Sequence, residues 1–325
     1  MEIADEKKVA AAKSTYATIC RVMDKIGWYY DKDEENLALE TTIRGDDLNL
    51  QFRVRVDQRH QVAIFDSKLP FSIQKERMAD VSRAINYINK RIPDGAFNMS
   101  TRYGTVYFRA TECFKESLIA EEVFEDMIRE SLEEVDRYND YLFYLGMGIK
   151  TLDDFVAYVS TISYSVFNVD ERIAKRTKEV FDTICEMIED NNWRYQKDEE
   201  QMKISIGFDT DDLDIRMHFY VEAQVQKVTM LSCLPFTVNG DKVDDCALAA
   251  CEANYNLKDG DFLYDFDNNA IFFKLTTSYR GSLISKSLMD GFLDFAYAVL
   301  DFYNDKFQAV NDGQMSVEDF AKSLD

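Results

Sequence analysis

The sequence predicts an α+β protein assembled from two tandem copies of one domain, each in the order α-β-β-β-α-β-β-α with a short helical tail. One shift of 165 positions aligns the two halves of the 325 residues, carrying Trp28 onto Trp193 and Leu69-Pro70-Phe71 onto Leu234-Pro235-Phe236. The apolar period alternates between helical and extended spacing along each half. Turn residues stand at matching places, with Asp94-Gly95 answering to Asp259-Gly260. A repeat this long exceeds solenoid units, so each copy is a domain with its own core.

From Lys8 to Ile26, Val9, Ala12, Tyr16, Ile19, Cys20 and Met23 recur at three and four residues and line one helix face. Phe181, Ile184, Cys185 and Ile188 repeat the stripe. After a charged turn, Lys32-Asp33-Glu34-Glu35 or Lys197-Asp198-Glu199-Glu200, the period becomes two: Leu37, Leu39 and Thr41, then Leu48, Leu50, Phe52, Val54 and Val56. Such segments are strands with one wet face, and Gly45-Asp46 and Thr210-Asp211 read as their hairpin turns. A third strand, Val62 to Phe65 or Val228 to Leu231, leads to Pro70 or Pro235, where a missing donor is expected to end pairing.

A second helix follows in each copy, with Met78, Val81, Ile85, Ile88 and Ile92 in one and Val243, Cys246, Ala250, Ala253 and Leu257 in the other. Gly95 and Gly260 then allow a reversal with positive φ. Two further strands, Phe97 to Thr101 and Thr105 to Arg109, are matched by Phe262 to Phe266 and Ala270 to Lys274. A long amphipathic helix closes each unit, and Thr151 with Asp154, like Ser316 with Asp319, has the spacing of a capping box that starts a tail helix. The expected domains are 1–157 and 171–325. The connection 158–170 has no Gly or Pro and is rich in aromatic and branched residues, so ordered packing is expected of it.

With 60 acidic and 38 basic residues, the net charge of −22 argues against nucleic acid as a partner. It serves solubility, or it attracts a basic or amphipathic partner segment. The six cysteines, at 20, 113, 185, 233, 246 and 251, contain no Cys-x-x-Cys pair, and reduced, buried thiols are expected. Nothing in the chain approaches the roughly 20 apolar residues of a membrane span, so a cytoplasmic protein is expected.

The element order resembles the YbjN family, together with the Pro after the third strand, Asn89 and Asn254 near the end of the second helix, and the Gly-x-Phe of Gly95-Ala96-Phe97 and Gly260-Asp261-Phe262. The resemblance covers both halves. It implies a fold like that of type III secretion chaperones, an antiparallel sheet packed by helices, and a binding fold with no catalytic residue to transfer. Such chaperones usually pair two separate chains, whereas here two copies are fused. An internal pseudo-dimer is therefore expected. Met78, Ile85 and Ile88 suit contact with Cys246, Ala250 and Ala253 across it, although both stripes equally suit their own sheets.

Chemistry finds little support. His60 and His218 are not repeat equivalents and read as ordinary surface or strand residues. Counted from Asp209, the acidic stretch to Asp214 lacks the Gly and Glu of a calcium loop, having Asp214 and Tyr220 in those places. Asp265-Phe266-Asp267-Asn268-Asn269 reads as a strand turn, and Trp28 and Trp193 as core. No glycine-rich phosphate loop is present. The sequence thus points to a non-enzymatic protein-binding module, chaperone-like or regulatory, with no cofactor and no catalytic, cofactor or metal residues. Its binding residues are unassigned. A structural or assembly component is the alternative.

Overall fold

The computed structural model describes every residue except Met1, 45–47, Leu118, Ser165, 210–213 and Asp325. The expected hairpin turns at Gly45-Asp46 and Thr210-Asp211, and most of the Asp209 to Asp214 stretch, lie outside the described residues. The first half runs α1 (Glu2–Ile26), β1 (Asp31–Asp33), β2 (Ala38–Arg44), β3 (Asn49–Asp57), β4 (Val62–Ser72), α2 (Met78–Asn89), β5 (Ala96–Met99), β6 (Thr105–Cys113), α3 (Glu121–Gly146) and α4 (Leu152–Ser160). The second repeats the series as α5 (Glu171–Asp190), β7 (Tyr195–Asp198), β8 (Lys203–Asp209), β9 (Asp214–Glu222), β10 (Lys227–Cys233), α6 (Val243–Asn256), β11 (Asp261–Asp265), β12 (Ala270–Ser278), α7 (Lys286–Asn311) and α8 (Val317–Lys322).

Among the described residues the strands form two six-stranded antiparallel sheets, β1-β2-β3-β4-β6-β5 and β7-β8-β9-β10-β12-β11. Each half therefore has one strand more than the sequence suggests. Lys32-Asp33 is not a turn but part of exposed edge strand β1, and the reversal falls at 34–37, where Leu37 takes φ of 49°. A charged, short edge resists pairing with another chain. Pro70 is a second departure: β4 continues through it to Ser72, and the register to β6 shifts between Lys68 and Ser72. Pairing with β3 ends at Lys68, so the proline sits where no ladder donor is missed. In the other half β10 stops at Cys233, before Pro235.

Each sheet buries one face under its own helices. Tyr16, Ile19 and Met23 of α1 join Phe52, Phe65 and Phe124 in the first core; Phe181, Ile184, Phe219, Phe262 and Phe307 anchor the second. Trp28 and Trp193 pack at the edges of these cores, Trp28 edge-on to Phe52 and Trp193 to Phe208. Cys20, Cys185, Cys246 and Cys251 are buried, whereas Cys113 and Cys233 are only half-buried.

The step from the second helix to the next strand is fixed by the repeated asparagine. Asn89 Nδ2 donates to the Phe97 carbonyl at 2.8 Å, and its Oδ1 accepts from Phe97 N at 2.8 Å. Asn254 grips Phe262 in the same way, at 2.8 and 2.6 Å. Between them Gly260 adopts φ of 68°, and an added Cβ would lie 2.6 Å from the Phe273 ring. Both tail helices begin as their spacing requires, with Asp154 N donating to Thr151 Oγ1 and Asp319 N to Ser316 Oγ. In the connection, Tyr164 hydroxyl meets Tyr138 at 2.9 Å and donates to Glu134, while Phe167 N donates to the Gln224 carbonyl at 2.7 Å.

Helices α2 and α6 pack against each other, but not through the expected stripes. Met78, Ile85 and Ile88 lie in the first core, and Cys246, Ala250 and Ala253 in the second. The helices meet through the neighbouring face, where Asn86 Nδ2 donates to the Ala247 carbonyl at 3.1 Å and lies 3.7 Å from Cys251 Sγ. An apolar stripe is claimed by the larger apolar surface available, here the helix's own sheet, which leaves small and polar residues for the joint.

Candidate functional site

Pairs of repeat-equivalent residues that touch each other mark a local two-fold axis. Asn86 beside Cys251 is one such pair, and Glu112 beside Thr277 is another, each separated by 165 positions. Between these points the halves exchange matching contacts. Arg109 Nη1 donates to the carbonyls of Asn254 and Leu257, at the end of α6; its counterpart Lys274 donates to those of Asn89 and Ile92, at the end of α2. Each cation thus occupies the negative end of the other half's helix.

The joint is densely charged for a buried surface. Lys227 Nζ lies 3.0 Å from Asp94 and 2.9 Å from Glu130, Lys274 lies 3.4 Å from Asp261, and Thr111 donates to Asp259 at 2.6 Å. Burial opposes the Lys227 charge, but Asp94 and Glu130 outweigh it and raise its pKa. Among the described residues no cation pairs with Glu112. Burial pushes its carboxyl up to about 8, with Asp94 and Asp259 adding repulsion against hydrogen bonds from Thr277 and Ser278. Burial likewise raises Asp259 to about 6. Lys227, Thr111 and Glu112 were not legible as a site because Asp94, Asp259 and Thr277, which they meet, lie more than a hundred positions away.

Flanking the axis are two grooves in corresponding places, each formed by the outer face of one sheet and the C-terminal end of the other half's second helix. The first, of about 780 Å³, is lined by Arg53, Arg55, Asp66, Lys68, Tyr107 and Arg109 from sheet one, with Tyr255, Leu257 and Lys258 from beyond the joint. Asp66 is shared by two guanidinium groups, Arg55 at 2.8 Å and Arg109 at 2.7 Å. The second groove, of about 410 Å³, has Tyr220, Leu231, Leu263 and Phe272 from sheet two, with Ile92 and Pro93 after α2. Arg55, Asp66, Tyr107 and Lys258 in one correspond to Tyr220, Leu231, Phe272 and Pro93 in the other. One groove is charged and the other apolar. The apolar groove is rimmed by Lys90, Arg91 and Lys274 as well as Glu222 and Asp265, so its border is mixed.

The residues weighed for chemistry fall elsewhere. His60 is exposed beside Asp57 at 2.9 Å, and His218 Nδ1 lies 2.8 Å from Ser205 Oγ on β8, its pKa lowered by burial and by Lys203 and Arg216. Asp265 and Asp267 of the β11–β12 turn both contact Lys90 Nζ at 2.6 Å, a tie between the halves. Among the described residues no cluster of three or more His, Cys, Asp or Glu is arranged to hold a metal ion, and no helix is long and apolar enough to cross a membrane.

Residues 15–143 match the family model "YbjN: Putative bacterial sensory transduction regulator", and the first half of the chain thereby contains a YbjN-family domain. The match runs from the middle of α1 to near the end of α3, and the second half repeats that order of elements. No curated protein matches the chain. Among solved structures the chain is similar to one titled "Crystal Structure of the ExsC-ExsE Complex", at 12% identity and a TM-score of 0.32, over 40% of this chain and 93% of that one.

Proposed function

We propose that this chain is a non-enzymatic, cytoplasmic protein-binding module, regulatory or chaperone-like, made of two tandem YbjN-like domains that together present one apolar groove to a partner segment. The apolar groove carries the reading. Tyr220, Leu231 and Phe272 are only half-buried, on a sheet face that the protein's own helices do not cover. A groove of that character suits the apolar side chains of an amphipathic segment. The net charge of −22 favours basic residues flanking those anchors and speeds their encounter. Glu112, Asp94 and Asp259, the buried carboxyls nearest the axis, each hold a partner across the joint: Thr277, Lys227 and Thr111.

The test is capture of partners from the native cells by the whole protein and by Leu231→Asp, at low and moderate salt. A partner held by the parent and lost by the variant supports the reading, provided both have the same circular dichroism spectrum. Equal capture by both removes the groove from the interaction. An assembly role is favoured by a different observation, the exposed Phe143, Tyr144, Met147 and Ile149 at the end of α3. The second copy has Gln308, Ala309, Asp312 and Gln314 there. That reading predicts self-association abolished by Met147→Glu.

A further inference from the structure

We propose that the charged groove of the first half is a binding site for a small, multiply charged anion bearing phosphate or carboxylate groups. The inference stands apart from the protein-binding reading, which uses the other groove. Its volume of about 780 Å³ lies within the range of small-molecule sites. Among the described residues its lining has five cations, Arg53, Arg55, Lys68, Arg109 and Lys258, against three carboxylates, Asp31, Glu40 and Asp66. That excess is the reverse of the chain's overall balance, so the groove stands out from its surroundings.

The fold itself does not require this charge. At the equivalent positions the second half has His218, Tyr220 and Cys233 for Arg53, Arg55 and Lys68, the first half has Pro93 for Lys258, and only Lys274 keeps the charge of Arg109. Arg109 is accounted for by its grip on the α6 carbonyls, whereas among the described residues the other four cations have no such task in the joint; Arg53 pairs with Glu40 at 3.0 Å and Arg55 with Asp66, both within the groove. The guanidinium of Arg55 is incompletely used. Its Nη2 serves Asp66, but Nε is buried without a hydrogen-bond partner among the described residues. An acceptor oxygen of a bound anion would complete it, and guanidinium groups match the planar oxygens of carboxylate and phosphate.

The floor is ordered for such a task. Arg109 lies over the Tyr107 ring at 4.9 Å, Tyr107 is 5.7 Å from Tyr255, and the Tyr107 hydroxyl donates to the Tyr255 carbonyl at 3.3 Å. The second half therefore supplies one wall, and an occupied groove would tie the halves together. Lys68 and Lys258 are exposed at its border, where they could draw an anion in without serving the core. At about 0.1 M salt the screening length is about 10 Å, so the groove's own charges outweigh remote acid.

The experiment is calorimetric titration of the full chain with inorganic pyrophosphate, with citrate and with a glutamate decapeptide, each against chloride at matched ionic strength of about 0.1 M. The proteins are the parent, Lys68→Glu/Lys258→Glu, and Lys175→Glu, whose side chain on α5 is 81% exposed. Binding of pyrophosphate alone identifies a phosphate ligand, and binding of citrate alone a carboxylate ligand. Either supports the proposal if the double variant, folded by circular dichroism, weakens binding at least about tenfold while Lys175→Glu leaves it unchanged. No heat beyond the chloride control, equal binding by the double variant, equal weakening by Lys175→Glu, or binding of the peptide alone overturns it.

Discussion

Replacing Glu112 with Gln should remove a pH dependence built into the joint between the halves. The carboxyl is 1% exposed, and its pKa rises from 4.5 to about 8 because burial disfavours the charged form. The folded protein therefore keeps a proton that the unfolded chain releases near its ordinary value. Where the native state binds more protons than the unfolded state, stability falls as pH rises. Glu112 thus contributes fully below about pH 4.5 and progressively less up to about pH 8. At about 1.4 kcal/mol per unit, the loss between about pH 5 and pH 8 is on the order of 4 kcal/mol. Asp259, raised to about 6, and Glu134, raised to about 7 by burial, act in the same direction and are present in both proteins. The difference between parent and Glu112→Gln isolates the one group. Urea unfolding at four pH values across that range measures it, with stability extrapolated linearly to water. The variant should gain on the parent steadily as pH rises, whatever fixed penalty the amide carries. A difference that stays constant would refute the reasoning and mean that Glu112 is ionised in the folded protein at neutral pH.

Two other substitutions probe the repeated devices. Asn254→Ala leaves the buried amide and carbonyl of Phe262 without their side-chain partner, so urea unfolding should show a loss of about 3 kcal/mol. Lys274→Met strands Asp261 and removes the donor from the α2 carbonyls, with an expected loss of about 3–5 kcal/mol. Adding Asp261→Asn should restore part of that loss, and a double-mutant cycle showing no coupling would refute the pairing.

The repeat, the order of most elements and the residues that shape their ends are legible in the linear order of residues. Those signals are local: a period of two or 3.6, a glycine where φ must be positive, an asparagine at a fixed distance from the strand it grips. Short charged strands such as Asp31–Asp33 escaped because an edge with no buried face has no hydrophobic period to read. Pro70 misled because a proline ends pairing only where its missing donor is needed, and the neighbouring strand determines that. The contact face of α2 and α6 was not legible either, since both stripes suit either surface until the sheets compete for them. Only the tertiary structure brought Arg109, Asp66, Tyr107 and Lys258 around one groove, from segments nearly two hundred positions apart. Charge and burial depend on what the fold places within a few ångströms, and a linear order does not record those neighbours.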